Sequence, residues 1–446
     1  MKLEIIVTRN LINSLSVTVL FILTTLILLV SSFSVSSLVL FWALFIILNF
    51  FIKEDKLITL FSFTLGVIFM VALYHYWTIF YGNSYFLGAM SDDWQYDIYW
   101  TDGYISKYGI SIYGLFDHLN DLEPGLGILH NSQAYVMFVI YIKYFASFFD
   151  GYHTFLPRML NIFFLTLTAY YSSIIAYNQS LCIKTRRLTF LCVFFFPVLL
   201  FNSSHVFRDI IISFILIYIY YISSTNKFFS TQLIKIILLL IILFFLRRST
   251  FLISLVIISF NYTKITSIHI KLISVIMILI FIGVFYMYPY IQISLNQIEA
   301  YNEINAERFG TIGSAIFSLP LYLGFIPRYV YLIFTPIPNF SGFHQVFVSI
   351  SAFIQIFSFP YLVQSFRLKN IDVKIKLTFL ILFSGVAFSS GDFRHVMMYM
   401  PFGIILTVVS YIKIKKEKNF NNSYNGLIAF LFVMFFSSII LALSLK

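Results

Sequence analysis

The sequence predicts an all-α protein whose helices form a polytopic bundle that crosses a membrane about ten to twelve times. Two features of the composition support this prediction: 60% of the 446 residues are apolar, and only 11% are charged. A soluble domain carries about 25% charged residues, so this chain has too little charge to cover a surface that faces water. Apolar runs recur along the whole chain, which predicts a single integral membrane domain over residues 1–446.

The candidate membrane helices follow one another with short polar connections. The first begins at Leu11 and is followed by further spans without a small-residue cleavage site, so we interpret it as a retained helix. Several candidates are shorter than the ~20 residues that a straight crossing needs. Some of them are therefore expected to be re-entrant, broken or interfacial. The candidates are 11–31, 35–52, 57–80, 134–149, 155–177, 189–202, 210–224, 236–260, 271–290, 313–335, 344–364, 377–390, 396–412 and 426–445.

Lysine and arginine in the short loops predict the orientation, because cytoplasmic loops are rich in these residues. The clusters expected inside are Lys53 and Lys56, Lys184 to Arg187, Arg367 to Lys376, and Lys413 to Lys418. Residues 81–133 then form an acidic outer (periplasmic) loop with seven carboxylates and one lysine. An odd number of crossings must follow this loop, whereas 134–149 and 155–177 supply two. Either 134–149 is re-entrant or interfacial, or 178–188 lies outside.

The acidic loop contains the first candidates for catalysis. Asp92 and Asp93 are adjacent just past the end of a membrane helix. Paired carboxylates there could act as a base toward an acceptor hydroxyl or contact a divalent cation. The cofactor stays open, and no metal ligand is assigned. Aromatic residues that follow could stack on sugar rings or anchor the loop among lipid headgroups; they are Trp94, Tyr96, Tyr99 and Trp100. The alternative is a solvated acidic loop.

Arginines embedded in apolar sequence are candidate phosphate-binding groups, because the planar guanidinium matches phosphate oxygens. Arg208 and Asp209 open one span, where Arg could bind a phosphate and Asp could position a second group. Arg394 and His395 lie in a tight outer turn before a proline-containing helix. Arg328 lies in an apolar run among prolines, which predicts a kinked or broken segment lining a cavity. The alternatives are a favourable helix-start charge and contacts with lipid headgroups.

Two further charge patterns have no assigned role in chemistry. Arg247 and Arg248 interrupt the apolar run 236–260. They either mark a short loop between two half-spans or face a polar cavity, because such charges are too costly to leave in lipid. Glutamates at every fourth position predict a solvated face of an outer amphipathic helix; they are Glu299, Glu303 and Glu307.

The order of these motifs resembles that of the GT-C superfamily of membrane glycosyltransferases, which take sugars from polyprenol-phosphate carriers. It also resembles the related repeat-unit polymerases of O-antigen and capsule clusters. The resemblance covers about residues 80–412. It rests on the acid pair in the outer loop, a helical hairpin with Arg158-Met159-Leu160-Asn161, the Arg208-Asp209 pair and the Arg394-His395 pair. It implies a GT-C-like fold.

The resemblance also implies residue roles. Asp92 or Asp93 would be the base or metal contact, and Arg394 would hold the carrier phosphate. Arg208 and Asp209 would support the site from the facing helix.

The resemblance implies an enzyme of the bacterial inner membrane whose active site faces the periplasm. The first hypothesis is a polymerase that joins oligosaccharides carried on undecaprenyl diphosphate. The alternatives are transfer of one sugar from a polyprenol-phosphate monosaccharide, and a non-enzymatic flippase for lipid-linked oligosaccharides. The expected partners are the polyprenol-linked sugar or oligosaccharide, membrane lipid and other polysaccharide-assembly proteins. Nucleic acid is not expected, because the basic residues lie in short clusters between apolar runs.

Overall fold

A computed structural model describes the chain at residues 2–86, 91–110, 132–224, 230–262, 315–319, 321–335, 342–389, 393–414 and 420–444. Within these ranges the structure is helical and contains no strand, which confirms the all-α class. The helices are α1 (Lys2–Ser32), α2 (Val35–Phe51), α3 (Lys56–Tyr81), α4 (Asp92–Trp94, Gln95–Tyr99 and Trp100–Tyr108), α5 (Gln133–Ala146), α6 (Phe155–Ser180), α7 (Ile183–Phe194), α8 (Pro197–Ser203), α9 (Asp209–Ser224), α10 (Ser230–Leu246), α11 (Arg248–Tyr262), α12 (Leu321–Phe334), α13 (Phe343–Arg367), α14 (Val373–Ser389), α15 (Val396–Ile414) and α16 (Phe420–Ser444).

Six helices of the described part are long and apolar enough to cross a membrane, so the chain is a membrane protein. They lie in α1, α3, α6, α13, α15 and α16. The apolar part of α1 is only 17% buried within the protein, which leaves side chains such as Leu23, Leu26 and Val30 exposed to face lipid. The other apolar helices have 10–17 residues, and at about 1.5 Å per residue they are shorter than the ~30 Å hydrocarbon core. The candidate span 271–290 lies outside the described residues.

Local sequence explains several helix ends. The hydroxyl of Ser34 accepts a hydrogen bond from the Ser37 N–H (3.3 Å) and caps the start of α2. The carboxylate of Asp150 also accepts the Ser36 N–H (3.0 Å), and a negative charge is favourable at a helix N-terminus. The C-terminal end of α3 is capped by Gly82, which has a left-handed φ of 68° and donates its N–H to the Thr78 carbonyl.

The candidate span 236–260 is interrupted at its two arginines. α10 ends at Leu246, and α11 begins at Arg248. Arg247 lies between them with 2% of its surface exposed. The guanidinium of Arg248 lies 5.0 Å from the ring centre of Phe244. The arginine pair therefore marks a break between two helices, as the first of the two interpretations predicted.

The chain divides into two compact units. Unit 1 consists of Met1–Gly125, Ser132–Tyr170 and Leu199–Ile211, and unit 2 consists of Leu126–Asn131, Tyr171–Val198 and Ile212–Lys446. Because of these boundaries, α6, α8 and α9 each contribute residues to both units. That the whole chain is one membrane domain stays a prediction.

Unit 1 is built from the N-terminal helices and the helices that hold the acidic segment. α1, α2 and α3 pack on one another, with the rings of Phe41 and Phe63 stacked at 5.9 Å. α5 packs against α4, and Ile142, Ala146 and Leu156 form a buried cluster between α5 and the start of α6. These contacts fix the helices on which the acidic residues lie.

Unit 2 is centred on α15, whose apolar part is 78% buried. α15 packs against α7, α13 and α14, while α12 packs against α16. Val330, Phe334, Ile356 and Leu431 form a core cluster between α12, α13 and α16.

Candidate functional site

The acidic segment of unit 1 folds as the helix α4, whose middle turn Gln95–Tyr99 is a π-helix. Single π-helical turns inside α-helices occur frequently at functional sites. Asp93 and Asp97 are fully buried on this helix, whereas Asp92 is half-buried. The later acids of the outer loop, Asp117, Asp121 and Glu123, lie outside the described residues.

Asp93 is enclosed by hydrogen-bond donors. Its carboxylate accepts the Ser91 hydroxyl (2.5 Å), the Trp94 N–H (3.0 Å) and the Phe86 N–H (2.9 Å). Burial raises the pKa of Asp93 to about 6, against the opposing effect of the nearby Arg158 charge and these hydrogen bonds. The carboxyl group therefore gains and loses its proton at a higher pH than an ordinary aspartate does.

Asp97 joins α4 to two other parts of unit 1. Its carboxylate accepts hydrogen bonds from the hydroxyls of Tyr85 (2.8 Å), Tyr152 and Thr154 (2.7 Å). Burial and the negative charge of Asp97 raise the pKa of both tyrosines, so their hydroxyls stay protonated and act as donors. The segment before α4 and the loop before α6 are thereby tied to the same buried carboxylate.

Lys143 satisfies a second group of acceptors on α4. Its ammonium donates to the Asp97 carbonyl (2.6 Å), the Thr101 hydroxyl (2.8 Å) and the Asp102 carboxylate (2.6 Å). The lysine is 7% exposed and Asp102 is 55% exposed. All three N–H bonds of the ammonium are thus used, which explains a lysine in the short apolar helix α5.

Arg158 is a second buried cation near the acidic residues of α4. It is fully buried in the first turn of α6 and donates from Nη2 to the Ser84 carbonyl (2.6 Å). Its guanidinium lies 5.6 Å from the ring centre of Tyr85 and 5.8 Å from that of Tyr74. Its charge lowers the pKa of Asp93 against the larger effect of burial.

The loop before α9 is held in place by buried hydrogen bonds. The amide of Asn161 donates to the carbonyls of His205 (2.7 Å) and Phe207 (2.9 Å). The indole of Trp77 donates to Nε2 of His205 (2.8 Å). Because Nε2 is an acceptor, the proton lies on Nδ1, which donates to the Phe201 carbonyl (2.8 Å). This loop leads directly into Arg208 and Asp209.

The structure brings Arg208 to the helix that carries the acid pair. The Arg208 guanidinium lies 5.8 Å from the ring centre of Tyr96 on α4. Arg208 is 7% exposed and Asp209 is 5% exposed. The candidate residues Asp92, Asp93, Arg208 and Asp209 all belong to unit 1.

The remaining candidates, Arg328, Arg394 and His395, belong to unit 2. Arg328 is buried and donates from Nη2 to the carbonyls of Phe317 (3.0 Å) and Leu319 (3.1 Å). A cavity of about 440 Å³ in unit 2 is lined by Tyr329 and apolar residues of α13, α14 and α15, and Arg328 is not part of its lining.

The outer turn before α15 is described in part. Arg394 is half-buried and His395 is buried, and both lie in a 3₁₀ turn over Phe393–His395. Gly391 and Asp392, which precede them, lie outside the described residues. The role of Arg394 and His395 in holding a carrier phosphate stays a prediction.

No group of three or more histidine, cysteine, aspartate or glutamate side chains within the described ranges is arranged to hold a metal ion. The oxygens of Asp93 and Asp97 accept hydrogen bonds from protein donors instead.

Three charged residues that contact or lie on α4 were not among the predicted site residues. They are Asp97, Lys143 and Arg158. A single charge in an otherwise apolar helix is costly and indicates a partner inside the protein. This signal was present for Lys143 and Arg158, but it does not identify the partner.

Comparisons with known proteins add no family to these observations. No family model, no curated protein and no solved structure matches the chain. The resemblance to GT-C glycosyltransferases and repeat-unit polymerases therefore stays a prediction.

Proposed function

We propose that this protein is a glycosyltransferase of surface-polysaccharide assembly in the bacterial inner membrane. It acts as a repeat-unit polymerase that joins oligosaccharides carried on undecaprenyl diphosphate at the outer face. The contact between Arg208 and Tyr96 supports this function most directly, because it brings a guanidinium to the helix of Asp92 and Asp93. Transfer from a lipid diphosphate needs a proton acceptor and a positive charge in one site.

The reaction assigns a separate task to each group. A bond forms between an acceptor hydroxyl oxygen and the anomeric carbon of the donor sugar, and the bond from that carbon to the diphosphate oxygen breaks. The hydroxyl proton passes to Asp92, which is half-buried. The electron pair leaves on the diphosphate, whose charge Arg208 stabilises. Asp93, whose oxygens are engaged by protein donors, is a positioning residue that holds the start of α4.

An aromatic surface on α4 supports a saccharide substrate. The rings of Trp94 and Tyr99 stack at 5.9 Å, and Tyr99 is 61% exposed. Exposed aromatic rings offer a large flat apolar face beside a polar group, which suits the mixed surface of a sugar ring.

A GT-C-like bundle with about ten to twelve crossings is part of the same proposal, as is carrier binding by Arg328, Arg394 and His395.

The test is a gel of surface polysaccharide from a strain that lacks this gene. The strain is complemented with wild type, Asp92→Asn/Asp93→Asn, Arg208→Gln, or Arg187→Gln as a control at an exposed arginine. Immunoblots of membranes show that each variant is present. The deletion should reduce the ladder to core plus one repeat unit, and only wild type and Arg187→Gln should restore it.

Other results point to other functions. A full-length ladder with altered mobility or serology would assign transfer of a single sugar. An unchanged ladder of unchanged composition would refute polysaccharide assembly and favour a transporter.

A further inference from the structure

Arg158 carries a buried charge that its surroundings satisfy only in part. The side chain is 0% exposed. One of its nitrogens, Nη2, donates to the Ser84 carbonyl at 2.6 Å. Nε and Nη1 have no hydrogen-bond partner among the residues that the structure describes. Of the five N–H bonds of a guanidinium, those on Nε and Nη1 therefore lack an acceptor.

The neighbours of Arg158 cover the faces of the guanidinium rather than its N–H bonds. Tyr74 and Tyr85 lie 5.8 Å and 5.6 Å away, measured to the ring centres. Such rings attract a cation through their faces but do not replace an acceptor in the guanidinium plane. Asp93 is near enough for its charge to interact with Arg158, yet its hydrogen bonds come from Ser91 and from two backbone N–H groups.

Lys143, a buried cation of the same unit, differs from Arg158 in that each of its N–H bonds has an acceptor. The three N–H bonds of Lys143 reach three acceptors, one of which is the carboxylate of Asp102. Burying a charged group without acceptors lowers stability, and an apolar side chain of similar size would avoid this cost. A ligand that brings acceptors and negative charge would satisfy the remaining N–H bonds of the arginine in the first turn of α6.

We propose that Arg158 is a binding site for the phosphate or diphosphate group of a lipid, in addition to the site at Arg208. Phosphate oxygens match the planar guanidinium in geometry and charge. The identity of the lipid rests on the proposed function. Joining two lipid-linked oligosaccharides brings two diphosphates to the enzyme, one on the donor and one on the acceptor, and the described part of unit 1 has one buried arginine for each.

Binding measurements on the full-length protein in phosphatidylcholine nanodiscs test this site without measuring activity. Inorganic pyrophosphate and farnesyl diphosphate are titrated into wild type, Arg158→Gln, Arg158→Lys, Arg208→Gln and the control Arg187→Gln. Heat of binding and thermal unfolding are recorded. Wild type and Arg187→Gln should bind two equivalents, and Arg158→Gln and Arg208→Gln one each. Arg158→Lys keeps the charge but loses the planar fork, so its second equivalent should bind at least about tenfold more weakly.

The Arg208→Gln variant keeps the inference testable even if Arg158→Gln does not fold. If Arg208→Gln binds neither probe, or if Arg158→Gln is folded and still binds two equivalents, Arg158 is not an anion site. Neither result bears on the polysaccharide ladder, so the proposed function stands or falls separately.

Changing the nanodisc lipid distinguishes two sources of the anion, and either outcome supports an anion site at Arg158. If farnesyl diphosphate binds Arg158 equally well in nanodiscs that contain phosphatidylglycerol, the ligand is a prenyl diphosphate. If phosphatidylglycerol itself stabilises wild type but not Arg158→Gln and excludes farnesyl diphosphate, the ligand is a headgroup of the surrounding membrane.

Discussion

Replacing Asp93 with asparagine tests the electrostatics at the start of α4. The carboxyl group is fully buried, and burial raises its pKa from 3.8 to about 6. The folded protein therefore binds this proton more tightly than the unfolded chain does. Its contribution to stability is fully present below the unfolded pKa and is lost as the pH rises through about 6.

The magnitude follows from the size of this shift. One pKa unit corresponds to about 1.4 kcal/mol. At about pH 7 the carboxyl group is ionised in both states, whereas at about pH 5 it is protonated in the folded protein and ionised in the unfolded chain. Acidification over this interval should therefore stabilise wild type relative to Asp93→Asn by about 1 kcal/mol.

His153 responds to the same acidification in the opposite direction. Burial, followed by the positive charge of Arg158, lowers the pKa of His153 to about 4. The unfolded chain takes up this proton first as the pH falls, which destabilises the folded protein. Because His153 is present in both proteins, its effect largely cancels in the difference between them.

The assay is thermal unfolding of both purified proteins in detergent, followed by tryptophan fluorescence at about pH 7 and about pH 5. The midpoint of wild type should rise relative to that of Asp93→Asn by about 2 °C on acidification. A difference that does not change with pH would refute the raised pKa. A change in favour of the variant would mean that the protein stabilises Asp93 as an anion.

Two further pairs of substitutions test the contacts that hold unit 1 together, each measured by unfolding of the purified protein. Lys143→Met should cost about 3 kcal/mol, because it leaves buried acceptors without a donor. Asp102→Asn should cost less than about 1 kcal/mol, because this partner is 55% exposed; equal costs would contradict this account. Trp77→Phe replaces the buried indole with a smaller aromatic ring and removes the hydrogen bond to His205, and should cost about 1 kcal/mol or more. The matched change Trp42→Phe, at a side chain 42% exposed, should stay within about 0.5 kcal/mol, and a larger cost there would show that the effect is not specific to His205.

The sequence by itself determined the class of the protein and pointed to segments with unusual charges. Apolar content and helix-length runs are local properties, so they predict an all-α membrane protein without reference to any contact. The arginine pair at 247–248 predicted either a break between two half-spans or a polar cavity, because adjacent arginines are too costly to leave in lipid, and the structure places a break there. Composition alone also indicated that the acid pair is a candidate site, because the loop 81–133 contains many of the few carboxylates of the chain.

Only the tertiary structure decided which charges are partners. Lys143 meets the Asp97 carbonyl across 46 positions, and Arg158 meets the Ser84 carbonyl across 74 positions. No periodicity or motif connects residues at such separations, because these contacts arise when helices pack. Burial is decided in the same way: Asp92 and Asp93 are adjacent in sequence, yet the packing of α4 leaves one half-buried and encloses the other.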